Sequence, residues 1–179
     1  MSKDYFLFEE EPGEIAYMAG VIDILSGIFT DVCDFGNAYG ADIFYLKDND
    51  ISFLNDTIKN RLKRYNIKEG LNIPEQDIEH LNFKLRTVNA DVKEYLYDAF
   101  SGYSSNKTIS AQNLHKKIDE FFFELDWYLQ KPICIYEPVK ESFFKTRDVL
   151  GRIYLYMAFR YFFIAYDSWL VLFIFGTVE

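Results

Sequence analysis

Apolar residues recur along this chain in two rhythms, and each change of rhythm marks an element. The opening stretch, Asp4 to Glu10, is short and mostly aromatic or aliphatic, which predicts a strand stopped by Pro12 and Gly13. From Glu14 the spacing turns helical: Ile15, Met18, Ile22, Leu25, Phe29 and Val32 fall three and four apart, predicting a helix to about Asp34. Gly36, Asn37 and Gly40 break it, and Ala41 to Leu46 reads as a second strand. Lys47 to Asp50 then offers an N-cap for a helix whose apolar stripe is Ile51, Leu54, Ile58, Leu62 and Tyr65. After a loop around Gly70, with Asn72 and Pro74 as start signals, Ile78, Leu81, Leu85, Val88, Val92, Tyr95 and Ala99 predict one helix of about six turns. The polar run from Ser101 to Ser110 ends it, and Thr108 or Ser110 can cap a further helix carrying Leu114, Ile118, Phe121, Leu125 and Tyr128. Lys131 and Pro132 stop that helix, and the pair is expected to pack antiparallel across its short loop.

The last third reads as a strand at Ile133–Glu137, a helix from Val139 to Met157 weakened by Gly151, and a hairpin turning at Asp167 and Ser168. Apolar residues are continuous on both sides of that turn, which predicts strands covered on both faces. Residues 153 to 175 are apolar enough to be tested as a membrane span. Arg160 and Asp167 interrupt them, each at ~2.5–3.5 kcal/mol near a bilayer centre. The longest charge-free piece, Ser168 to Phe175, falls far short of the ~20 residues a spanning helix needs. The expectation is therefore no membrane association. The fold class is α+β: a single, mostly helical domain over residues 1–179, with a small sheet that includes the C-terminal hairpin.

Composition adds an aromatic excess, 18 Phe, 14 Tyr and 2 Trp, which first suggests a core built from large rings. Charge changes the picture more. The chain carries a net −9, and residues 1 to 56 hold twelve acids against two lysines while the remainder is nearly balanced. An acidic surface disfavours direct nucleic-acid binding, which needs cations to displace counterions from phosphates. It favours a basic protein partner, through faster encounter more than through affinity. Cys33 and Cys134 lie far apart without CxxC spacing, and no basic region followed by an apolar core opens the chain. Both features point to a reducing, cytoplasmic setting.

Chemistry is sparse. No GxGxxG, GxxxxGK[ST] or GxSxG pattern occurs, so neither a phosphate cradle nor a nucleophile elbow is indicated. His80 and His115 are the only histidines. His115 and Asp119 are four apart on one helical face, yet no further ligand stands nearby in sequence, so solvated surface histidines are the plainer reading. Asp48 and Asp50 resemble the start of a calcium loop, but Phe53 and Lys59 stand where that loop needs Gly and Glu, leaving a helix cap. No catalytic residue, metal site or cofactor site is assigned. The remaining candidate is a partner-binding face made of Glu9, Glu10, Glu11, Glu14, Asp31, Asp34, Asp42, Asp48 and Asp50. Tyr39 is its aromatic anchor, among the neighbouring Tyr5, Tyr17 and Tyr45.

The ending YFFIAYDSWLVLFIFGTVE, an aromatic hairpin closing in Gly-Thr-x-Glu, is similar to the ends of several immunity proteins of bacterial contact-dependent inhibition and related polymorphic-toxin systems. The resemblance covers about twenty residues and carries over no functional residue. It implies a protein that binds a cognate toxin domain, often a basic nuclease, and covers its active site or substrate groove. Three alternatives stay open. One is an acidic nucleic-acid mimic that inhibits a defence nuclease, with acids spaced like phosphates. Another is an enzyme whose site is assembled from distant residues, and the last is a structural adaptor with a large apolar patch.

Overall fold

The computed structural model describes residues 12–32, 37–46, 50–103, 109–153 and 157–177. The expected strand at Asp4–Glu10 lies outside them, as do Cys33 and most of the polar loop before Ser110. The architecture is α+β, as expected. Five strands form one antiparallel sheet: β1 (Asn37–Tyr45), β2 (Leu85–Val88), β3 (Cys134–Pro138), β4 (Met157–Ala165) and β5 (Trp169–Thr177), in the spatial order β1-β5-β4-β3-β2. The C-terminal hairpin thus forms the middle of the sheet. Its two-residue turn at Asp167 and Ser168 is closed by Tyr166 N–H donating to the Trp169 carbonyl at 2.8 Å.

Helices cover both faces. On one lie α1 (Pro12–Ser26), α4 (Val92–Tyr103) and α5 (Ala111–Leu129); on the other lie α2 (Leu54–Glu69), the short α3 (Glu75–Glu79) and α6 (Lys140–Ile153). The period-two alternation of the hairpin divides its side chains between two cores. Phe162, Ile164, Val171, Phe173 and Phe175 face α1, α4 and α5, while Tyr161, Phe163, Leu170, Leu172 and Ile174 face α2, α3 and α6. This is why the hairpin is apolar at every position from Tyr161 to Tyr166 and from Trp169 to Phe175. The first core is an aromatic stack. Phe162 lies beside its cross-strand partner Phe173 with centroids 5.6 Å apart, and Phe29 stacks on Phe100 at 4.3 Å. The apolar stretch tested as a membrane span is this hairpin with the end of α6. Among the described residues no helix is long and apolar enough to cross a membrane.

Three expected boundaries are corrected. The helix expected through residues 78–99 is three elements: α3 ends at Glu79, β2 forms the sheet edge, and α4 starts only at Val92. The spacing of Leu81, Leu85 and Val88 suits a helix, but the run contains Asn82, β-branched Thr87 and Val88, and Asn89. Asp91 is the true start signal: its Oδ1 accepts from the backbone N–H of Lys93 and of Glu94, each at 3.0 Å. The helix expected to reach Met157 stops at Ile153, because Met157 already pairs with Thr177 in the sheet. The first helix ends at Ser26 and continues only as a 3-10 turn through Phe29. Ser110 does cap α5, and α4 and α5 run antiparallel: Tyr97 meets His115, while Lys93, earlier in α4, meets Asp119, later in α5.

Candidate binding face on the outer side of the fifth helix

Asp31 and Asp50 are exposed, and both are already engaged. Asp31 pairs with Lys117 of α5 at 2.9 Å, and Asp50 accepts from Ser52 N–H at 2.8 Å as the expected helix cap, which lowers its pKa. Asp42 is only 8% exposed. It points from β1 towards α2, where Arg61 binds its carboxylate, donates to the Ile43 carbonyl at 2.6 Å and lies over the Phe44 ring at 4.8 Å. Tyr39 turns inward as well, its ring against Phe29 and Phe100 and its hydroxyl donating to the Ser26 carbonyl. These two are therefore structural residues and not parts of a docking face. The reason is the strand pleat: Tyr39 and Asp42 lie on opposite faces of β1, and helices cover both. Glu9, Glu10, Glu11, Asp34 and Asp48 lie outside the described residues; Glu14 lies in the first turn of α1.

Among the exposed large apolar side chains of the described residues, two that touch one another lie on α5. Ser110 starts this helix by accepting from Asn113 N–H at 3.2 Å, and Gln130, at φ 63°, ends it just before Pro132. Leu114, Ile118, Phe121, Phe122, Leu125 and Leu129 face the core. On the opposite side Phe123 and Trp127, one turn apart, are 64% and 76% exposed, and their rings meet edge to face at 6.5 Å. Alongside, Tyr128 meets Tyr17 of α1 with centroids 5.8 Å apart, so the first turns of α1 flank this patch.

Carboxylates, two of them paired with lysines, lie beside Phe123. Glu120 is paired with Lys116 at 3.4 Å and Asp119 with Lys93 at 2.7 Å, whereas Glu124 makes no ion pair among the described residues. A shallow depression of about 450 Å3 runs between α5 and the start of α4, lined by Lys93, Lys116, Asp119, Glu120, Phe123, Glu124 and Asp126. At its inner end Asp126 is partly buried, and burial pushes its carboxyl pKa up. The fully buried Tyr166 hydroxyl beyond it is pushed up too, first by burial and then by the Asp126 charge. Exposed Asp91, Glu94 and Asp98 extend the negative surface along the α4 side.

Acidic character is therefore not confined to the first third of the chain. Counting charge by segment hides this, because Lys117 turns towards α1, where it also donates to the Ile28 carbonyl at 2.7 Å. Counting charge by helix face would have found it, as would the FFFELDW run, whose third Phe and Trp fall off the core stripe.

Neither histidine joins a site. His80 is exposed at the end of α3, and His115 is half-buried, stacked flat on Tyr97 at 3.9 Å. Asp119, a possible partner for His115 by spacing, is held by Lys93 instead. Among the described residues no three His, Cys, Asp or Glu side chains group as a metal site would require. Comparison with known proteins finds no matching family, no matching curated protein and no matching solved structure.

Proposed function

We propose that this chain is a binding protein of the immunity type, which captures a basic protein domain through the outer face of α5. A nuclease toxin is the kind of partner its charge suits best. The observation that carries this reading is the pair Phe123 and Trp127, held in the open on a helix with Asp119, Glu120 and Glu124 beside Phe123. Single exposed apolar residues are ordinary on any protein. Two large aromatic rings in contact, with acids at their margin, form the centre-and-rim pattern of an interface hot spot. Aromatic anchors also favour this reading over a nucleic-acid mimic, whose affinity would rest on charge spaced like phosphates.

The test is co-expression with the product of the adjacent gene, comparing the native chain with Phe123→Ala/Trp127→Ala. Both side chains are largely exposed, so the double variant should fold normally. The expected result is a one-to-one complex and protection of the host by the native chain, with the variant weakened at least ~30-fold, the equivalent of one hot spot. A native chain that neither binds nor protects would sink the immunity reading. Full binding by the variant would sink the α5 assignment.

A further inference from the structure

The sheet is split along part of its length. β3 pairs with β4 at only three positions, Cys134–Ala165, Ile135–Ile164 and Tyr136–Phe163, although β4 continues along β5 back to Met157. Past Tyr136, β3 stays with β2 instead, and a slot of about 660 Å3 opens between Glu137–Pro138 on one side and Arg160–Tyr161 on the other. The register of β4 against β5 slips between Ala158 and Arg160, an irregularity of the kind that re-aims a side chain.

Arg160 lies half-buried at this slip, with its guanidinium over the rings of Tyr95 at 5.1 Å and Phe162 at 5.5 Å. The rings take the flat side of the guanidinium and the Tyr95 hydroxyl accepts from one of its N–H groups, leaving the remaining N–H groups for further acceptors. The nearby Glu137 is already committed twice: Tyr95 donates to one carboxylate oxygen, and Arg86 donates to the other at 2.9 Å. Among the described residues neither Arg160 nor Lys140, at the rim of the slot, forms an ion pair, although Glu137 lines the same slot. Glu141, also on the rim, is the opposing charge. The apolar side is half-buried Phe143, which stacks on the buried Tyr161 5.7 Å away and 15° from parallel and has the Arg147 guanidinium 5.9 Å from its ring.

A cationic end beside apolar side chains, in a volume suited to a small molecule, defines a ligand with matching halves. We infer that this slot binds a small organic monocarboxylate, its carboxylate on Arg160 with help from Lys140 and its apolar body against Pro138, Val139 and the exposed part of Phe143. The inference is independent of the α5 face and of the immunity reading.

The test uses the full chain and 4-phenylbutyrate as probe, with 4-phenylbutyramide and inorganic phosphate as controls, followed by amide NMR shifts. Saturable shifts are expected at residues 137–143 and 160–161 with the carboxylate, and binding at least ~10-fold weaker for the amide, as loss of a charge-assisted hydrogen bond requires. Arg160→Gln should reduce binding by a similar factor. Lys140→Met, at an exposed position where folding is not at stake, should reduce it by a smaller factor of about three. Equal binding of the amide, equal binding of phosphate, shifts mapping elsewhere, or no effect of either substitution would each overturn the assignment.

Discussion

Asp42 sits on an edge strand beneath α2, where Arg61 binds its carboxylate and the Ile43 backbone N–H donates to it at 2.8 Å. Arg61 also takes the Ile43 carbonyl, so this one ion pair occupies both backbone groups of Ile43 on the open edge of β1. Removing one member leaves a buried charge uncompensated. Asp42→Ala is therefore expected to cost about 3–5 kcal/mol in urea unfolding, whereas Asp42→Leu with Arg61→Met should recover part of that loss. A loss of partner binding in Asp42→Ala at unchanged stability would contradict this structural role. Tyr95 makes a second claim at the same scale. Burial, then its bond to Glu137, pushes its pKa from 10.0 up to about 12. Because the raised value belongs to the folded state, the stability it contributes is complete below pH 10 and is lost as pH rises through 12. Urea midpoints measured between those pH values should therefore fall less in Tyr95→Phe than in the native chain. Parallel falls would mean that Tyr95 ionises as freely folded as unfolded.

At the scale of elements, the stripes of α1, α2 and α5 and the alternating burial of the hairpin were legible because each is long enough to show its period several times. The run from Ile78 to Ala99 was not, since apolar positions three and four apart also arise when a strand of four residues happens to join two helices. Asp91, followed three positions later by Glu94, was the overlooked mark of a new helix start, and it outweighs the spacing of Leu85 and Val88. The binding-face assignment failed at Tyr39 and Asp42 for a related reason. Local pattern shows which strand face a side chain takes, but not that helices lie over both. Helix termination offers a prediction here. Gln130 closes α5 at φ 63° and ψ −152°, a conformation that suits glycine and strains a side chain. Its backbone N–H still donates to the Asp126 carbonyl, a bond that glycine would keep. Gln130→Gly should therefore raise unfolding stability by about 1 kcal/mol, read as a higher urea midpoint at constant slope. A lower midpoint would show that the side chain itself supports the cap.

At the scale of the molecule, the net charge of −9 and the aromatic excess divide into different duties. Most rings lie between the sheet and its helices, and Phe123 and Trp127 stand apart from them on the outside of α5. Such a surface separates the two halves of a binding rate. Carboxylates act at long range on encounter with a basic domain, and their effect fades as salt shortens the screening length to about 8 Å. The rings act only after contact, when they leave water. Glu120→Lys/Glu124→Lys should therefore slow association by about tenfold at low salt and by much less at physiological salt, with dissociation nearly unchanged. Phe123→Ala/Trp127→Ala should do the opposite, leaving association within about threefold and raising the dissociation rate at least tenfold. Stopped-flow association and dissociation at two ionic strengths would separate the pair of effects. If charge reversal and ring removal altered the same rate constant with the same salt dependence, the two groups would not be rim and centre of one interface.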